Sequence, residues 1–171
     1  ALKTNLSDLN TTGNGILIVN EDTFDKKGLN QADYQTNPLE DGSLDGYQIF
    51  TVPITKLTRS AVEDQGLSQK EADRCRNFFA MGLVYWLYNR SLDPTLRFIE
   101  EKFGSKEAIA EANRNALKSG WNYGETTDAF ISSYRVDRAK LPPGHYRNIT
   151  GNQALAIGLM AGARLSEKDL F

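Results

Sequence analysis

Apolar residues lie along this chain in three kinds of pattern, and each predicts a different element. The first is an unbroken β-branched run, Ile16 to Val19, bounded by Gly15 and Asn20. Such a run predicts a short strand covered on both faces, as in α/β sheets. The second is alternation. In "GYQIFTVPITKL", Tyr47, Ile49 and Thr51 alternate with Gln48 and Phe50, and Pro53, unable to donate to a ladder, closes the strand. The turn chemistry of "NPLEDGSLDGY" lies between the two strands, and a short helix is expected from Thr55 until Gly66 stops it.

The third pattern is helical spacing. Ser68 and Glu71 form an S-x-x-E capping box, opening a helix expected to run to about Asn89. Ala72, Cys75, Phe79, Gly82, Leu83 and Trp86 share one face of it, widened by Phe78, Tyr85 and Tyr88. An aromatic stripe could clasp a flat cofactor, but this spacing is what burial requires. The face is therefore read as core, with Cys75 an inert thiol inside it. Asp93-Pro94 predicts an N-cap with proline at the first helical position, Leu96, Ile99 and Phe103 inward, and Gly104 as the stop. Ser105 is expected to cap the next helix, with Ile109, Ala112, Ala116 and Leu117 inward and Gly120 at its end. "GWNYGETTD" then reads as a loop anchored by Trp121, and "FISSYRV", 130 to 136, as a third strand.

The last segment differs. From Gly151 to about Leu165 a helix is apolar or small all round, with Ala154, Gly158 and Gly162 at i, i+4 and i+8 beside Leu155, Leu159 and Met160. A helix of this kind needs cover on every side, so it is read as an element awaiting a further domain or a second chain. Its start offers free backbone N–H groups and a positive dipole end, which suit an anion. Arg147, Thr150, Gly151 and Asn152 are therefore the candidates for anion or interface contact.

Composition narrows the classes. The chain has 171 residues, 40% hydrophobic and 25% charged, and 20 Lys plus Arg against 22 Asp plus Glu give a net charge of −2. These are globular values, and nothing in the balance suggests nucleic acid. The longest uncharged apolar run, Ala154 to Ala163, is about half of what spans a bilayer. No signal peptide is apparent, and the expected location is cytoplasmic. The single Cys75 cannot make an internal disulfide, a redox pair or an iron–sulfur site, and the single His145 cannot anchor a His-based metal site or a Ser-His-Asp triad. No Walker loop or dinucleotide fingerprint is present, and Gly13-Asn14-Gly15 precedes its strand instead of following it. Asp22, Asp25, Glu40 and Asp41 read as solvated turn residues. No catalytic residue and no metal ligand is assigned.

Several strings together carry a resemblance: "NPLEDGSLDGYQIFTVPITKLT", "KEADRCRNFFAMGLVYWLYNR", "TLRFIEEKF", "AIAEANRNALKSGWNYGETT" and "PPGHYRNITGNQALAIGL". In order, and over most of the chain, they resemble the fused α subunit of the 2-oxoglutarate:ferredoxin oxidoreductases, a branch of the thiamine diphosphate-dependent 2-oxoacid:ferredoxin oxidoreductases. The resemblance implies an α/β fold: residues 1 to 141 as the later, helix-rich part of a Rossmann-like γ-type domain, and 142 to 171 as the first strand and helix of an α-type, pyrimidine-binding-like domain. On this reading the chain is a fragment of a larger polypeptide. The implied parent reaction is oxidative decarboxylation of a 2-oxoacid, with electrons passing to ferredoxin and the acyl group to coenzyme A. Thiamine diphosphate, magnesium, an iron–sulfur cluster and coenzyme A are expected in the parent complex, none bound by this stretch. The β subunit and, through the complex, ferredoxin are the implied partners, with self-association through the last helix and no nucleic-acid or membrane partner. The competing reading is an independent interaction or scaffold module without enzymatic attachment.

Overall fold

A computed structural model describes residues 2–6, 9, 15–127, 133–137 and 139–166. The chain divides into two units, Ala1–Val136 and Asp137–Phe171.

The first unit opens with a single helical turn, α1 (Leu2–Asn5), and the strand β1 (Ile16–Asn20). Leu17 and Val19 are buried and their neighbours half-buried, so apolar cover reaches both faces, as the β-branched run predicts. A parallel partner requires a crossover of a dozen residues or more. Residues 21–47 supply it, with a short helix α2 (Lys26–Gln31) that the apolar pattern does not announce. The strand β2 (Gln48–Val52) then pairs with β1 in parallel, from Ile16 opposite Gln48 to Asn20 opposite Val52. Pro53 follows at once, and α3 (Ile54–Ala61) begins one residue ahead of expectation. A 3-10 turn and Gly66, at φ +63°, close this stretch.

The helix expected from Ser68 to Asn89 is two helices, α4 (Gln69–Arg74) and α5 (Arg76–Leu87), meeting at Cys75. The capping box is present: Ser68 Oγ accepts from Glu71 N, and Glu71 Oε2 accepts from Ser68 N at 3.0 Å. The break has a local cause. The Asp73 carbonyl accepts from Arg76 Nε at 2.8 Å, and the Cys75 amide donates to Ala72 O, a tighter turn than the α-helix.

Helix α6 (Asp93–Phe103) contains Asp93 instead of being capped by it, while Ser91 Oγ accepts from the Asp93 amide. Ile99 is fully buried, with Leu96 and Phe103 packed around the same cluster. Gly104 ends the helix in a right-handed conformation.

The main departure is α7 (Glu107–Thr126). Ser105 provides no cap, the helix passes straight through Gly120, and the expected "GWNYGETTD" loop is helical to Thr126. Gly120 is a point of close approach and not a stop: a Cβ there would lie 1.9 Å from the Phe79 carbonyl oxygen. Reciprocally, a Cβ on Gly82 would lie 1.9 Å from Leu117 O, and one on Gly124 would enter the Trp86 indole at 2.5 Å. Helices α5 and α7 thus touch backbone to backbone. Around that seam lie Phe79, Leu83 and Leu87 of α5 with Ala112 and Ala116 of α7, continuous with Val52, Ile54, Val62, Ala72 and Cys75. The predicted aromatic face is core at Phe79, while Trp86 is half-buried, its Nε1 donating to Glu125 Oε2 at 2.7 Å, and Tyr88 is exposed.

Residues 130–132 of the expected third strand lie outside the described residues. Those from 133 to 136 form no strand; Tyr134 instead donates its amide to Leu87 O at 2.6 Å and sets its ring against Tyr88.

In the second unit, the strand expected before the last helix is not formed: residues 139–150 are irregular, with no strand among the described residues of the unit to give a ladder. Helix α8 (Gly151–Ser166) follows as predicted. The molecule is a helix-rich α/β protein with a small parallel sheet.

Candidate functional site

The residues singled out in the sequence meet at the start of α8. Thr150 is the N-cap: its Oγ1 accepts from Gln153 N at 3.3 Å, and Gln153 Oε1 accepts from Thr150 N at 3.0 Å. This reciprocal box satisfies two of the free donors of the first turn. The Gly151 and Asn152 amides stand outside it, and both residues are exposed. Arg147 is exposed too and makes no ion pair among the described residues. The preceding turn is pinned by Tyr146, whose hydroxyl donates to Pro142 O at 2.7 Å. The Thr150 hydroxyl is therefore engaged by its own helix, leaving two amides and one guanidinium for any outside contact.

Along α8, Leu155, Ile157, Leu159 and Met160 are 54–71% exposed, and a Cβ added at Gly151, Gly158 or Gly162 would meet nothing within 4 Å.

A second polar cluster lies at the carboxyl ends of the two parallel strands, where α/β sheets bind their ligands. Asn20 closes β1, and Thr55 is the second residue of α3, the helix after β2. The Asn20 amide donates to Thr55 Oγ1 at 2.8 Å, and its oxygen accepts from Thr55 N at 3.4 Å. Arg76 adds a 3.3 Å bond from its guanidinium to the same hydroxyl. Asp22 Oδ2 accepts from Lys56 N at 2.9 Å, and Asp25 Oδ1 accepts from Gly28 N at 2.7 Å to cap α2. Asp22 and Asp25 are thus structural carboxylates. Asp41 closes a turn, accepting from Ser43 N at 2.9 Å and from the Thr36 hydroxyl at 2.5 Å. The Ser43 and Thr36 bonds lower its pKa. Sequence reasoning passes over Asn20, Thr55 and Arg76 because their meeting depends on the parallel register. The available signal was slight: Asn20 ends the apolar run of β1, but Thr55 stands three residues past the end of β2 and Arg76 lies on a later helix.

Burial pushes the Cys75 thiol above its ordinary pKa, so it is a poor nucleophile. Among the described residues, no group of three His, Cys, Asp or Glu is placed to hold a metal ion, and no helix is long and apolar enough to cross a membrane.

The sequence profile of the pyruvate ferredoxin/flavodoxin oxidoreductase family matches residues 1–123. The chain belongs to this family. It is 51% identical over 166 residues to 2-oxoglutarate oxidoreductase subunit KorA of Mycobacterium tuberculosis, an alignment covering 97% of this chain and 25% of the relative. It is 23% identical over 115 residues to 2-oxoacid:ferredoxin oxidoreductase 1, subunit alpha, of Aeropyrum pernix, covering 67% of this chain and 18% of the relative. The chain thus spans a quarter or less of the length of these relatives. No solved structure matches it significantly. The resemblance carried by the "NPLEDGSL" and "YRNITGN" strings is borne out at the family level.

Proposed function

We propose that this chain is a non-catalytic, structural part of the α subunit of a thiamine diphosphate-dependent 2-oxoglutarate:ferredoxin oxidoreductase. The parent complex converts 2-oxoglutarate, coenzyme A and oxidised ferredoxin to the acyl-coenzyme A, carbon dioxide and reduced ferredoxin. The observation that carries this reading is 51% identity across 97% of the chain to a 2-oxoglutarate oxidoreductase subunit.

On this reading residues 1–141 are the later part of a Rossmann-like γ-type domain, and residues 142–171 lead into an α-type domain through α8. The parallel order of β1 and β2, and helices of the length of α5 and α7, are compatible with that assignment. Thiamine diphosphate with its magnesium supplies the decarboxylation chemistry and a cluster carries the electrons, both on other parts of the complex. A single cysteine does not supply the thiolates a cluster needs, and among the described residues no group of three His, Cys, Asp or Glu is placed to hold a metal ion. What its residues do is hold shape. The α5–α7 seam gives a rigid body, and α8 offers an apolar surface to the β subunit, to the rest of the subunit, or to a second copy of the chain. Arg147 and the amides of Gly151 and Asn152 stand at the entrance of that helix as contacts for a partner or for coenzyme A, with Thr150 capping it. On the same reading the complex works in the cytoplasm.

The test is to purify the product of the complete reading frame at native expression level. The expected result is a subunit several times longer than this chain, co-purifying with a second oxidoreductase subunit. A free product of this length alone would contradict the reading and favour an independent scaffold module.

A further inference from the structure

The break between α4 and α5 opens a cleft of about 790 Å³, lined by Gln69, Lys70, Asp73, Arg74, Arg76 and Asn77. We propose that this cleft binds a ligand carrying two adjacent phosphoryl groups, on observations that do not depend on the function proposed above.

The first support is charge. Lys70, Arg74 and Arg76 make no ion pair among the described residues, whereas the one carboxylate in the cleft, Asp73, is already engaged. Arg59 holds it with two parallel bonds, Nε to Oδ1 at 2.7 Å and a terminal nitrogen to Oδ2 at 3.0 Å. The Arg59 bond lowers the Asp73 pKa, so the carboxylate stays ionised and paired. Three cations thus face an open concavity. The carboxylates nearest them, Glu71 by Arg74 and Asp73 by Arg76, are bonded elsewhere, to Ser68 and to Arg59, and Gln69 and Asn77 add amide groups.

The second support is pre-organisation. Arg76 is half-buried and fixed at two points, Nε on Asp73 O at 2.8 Å and a terminal nitrogen on Thr55 Oγ1 at 3.3 Å. Thr55 is itself 7% exposed and held by Asn20. Of the five N–H donors of a guanidinium, these bonds use two and leave three in a planar fork that matches phosphate oxygens. A side chain already ordered loses little freedom on binding. The third support is position: the Asn20–Thr55–Arg76 chain ties the cleft to the carboxyl ends of the parallel strands, where an α/β sheet receives ligands. The break at Cys75 belongs to the same arrangement, since the Asp73 carbonyl there accepts from Arg76 Nε.

The test is calorimetric titration of the chain with inorganic pyrophosphate and, separately, with ADP at low salt. Both are expected to bind one to one, more weakly as salt rises. Equal affinity assigns the site to a diphosphate alone, and tighter ADP binding assigns it to a nucleotide. Lys70→Glu with Arg74→Glu, both exposed, should weaken binding about tenfold or more while leaving the thermal midpoint unchanged. The neutral pair Lys70→Gln with Arg74→Gln, which carries no risk of new repulsion, should also weaken it. Lys118→Glu, on α7 outside the cleft, should leave it unaltered. No binding of either ligand, unaltered binding in both cleft variants, or equal loss in Lys118→Glu would overturn the proposal.

Discussion

At Gly82 and Gly120 a single hydrogen in place of a methyl group decides how closely two helices approach. Each added Cβ would sit 1.9 Å from a backbone carbonyl oxygen of the facing helix, which cannot rotate away as a side chain could. Overpacking typically costs about 1–3 kcal/mol, and contact with backbone places Gly82→Ala and Gly120→Ala at the upper end. Gly158→Ala meets nothing within 4 Å and should instead gain about 1 kcal/mol of helix propensity. Chemical denaturation of the three variants checks the contrast; a Gly82→Ala midpoint equal to wild type would contradict the seam. Cys75, 2% exposed with its pKa raised by burial, should react with a disulfide reagent only on unfolding. Rapid labelling of the folded chain at pH 8 would show the thiol to be accessible.

The Arg59–Asp73 pair sets a pH dependence of known sign. The Arg59 hydrogen bond holds the folded Asp73 pKa below its ordinary value. Its stabilising contribution is therefore complete above that ordinary value and fades as pH falls through the lowered one. The pair is partly solvated, so the effect is small and screened by salt. Arg59→Gln should flatten the acid limb of the stability–pH curve, read from denaturant midpoints between pH 7 and pH 3. An unchanged acid limb would assign no linkage to this pair.

At the scale of elements, legibility followed local chemistry. β1, β2, the Ser68–Glu71 box, the stop at Gly104 and the start of α8 were readable because each is settled by neighbouring residues. The continuation of α7 through Gly120 was not, because a glycine that ends a helix and one that lets two helices touch look alike in a single sequence. Only the facing Phe79 carbonyl separates them. The split at Cys75 was hidden in the same way, since it depends on Arg76 turning back onto Asp73 O. Helix α8 carries the clearest consequence. Burying a side chain of leucine size contributes about 1.5–3 kcal/mol, so Leu155, Ile157, Leu159 and Met160 together strongly favour cover. The chain should self-associate in a concentration-dependent manner, and removal of residues 151–171 should leave a monomer with the same near-ultraviolet spectrum. Sedimentation velocity distinguishes the cases; a monomer in both forms would deny α8 this role.

For the whole molecule, the family could be read from strings spread along the chain, while the strand-end cluster could not, because it exists only once β1 and β2 are set in parallel. The central claim is that this chain serves a 2-oxoglutarate:ferredoxin oxidoreductase as structure and not as catalyst. The most direct measurement is substrate-dependent reduction of a low-potential dye, with thiamine diphosphate, magnesium and coenzyme A, by the complex purified from the complete reading frame and by this chain alone. The account predicts reduction by the complex with 2-oxoglutarate and none by the isolated chain. Turnover by the chain alone, or a complex inactive on 2-oxoglutarate and every other 2-oxoacid, would contradict it.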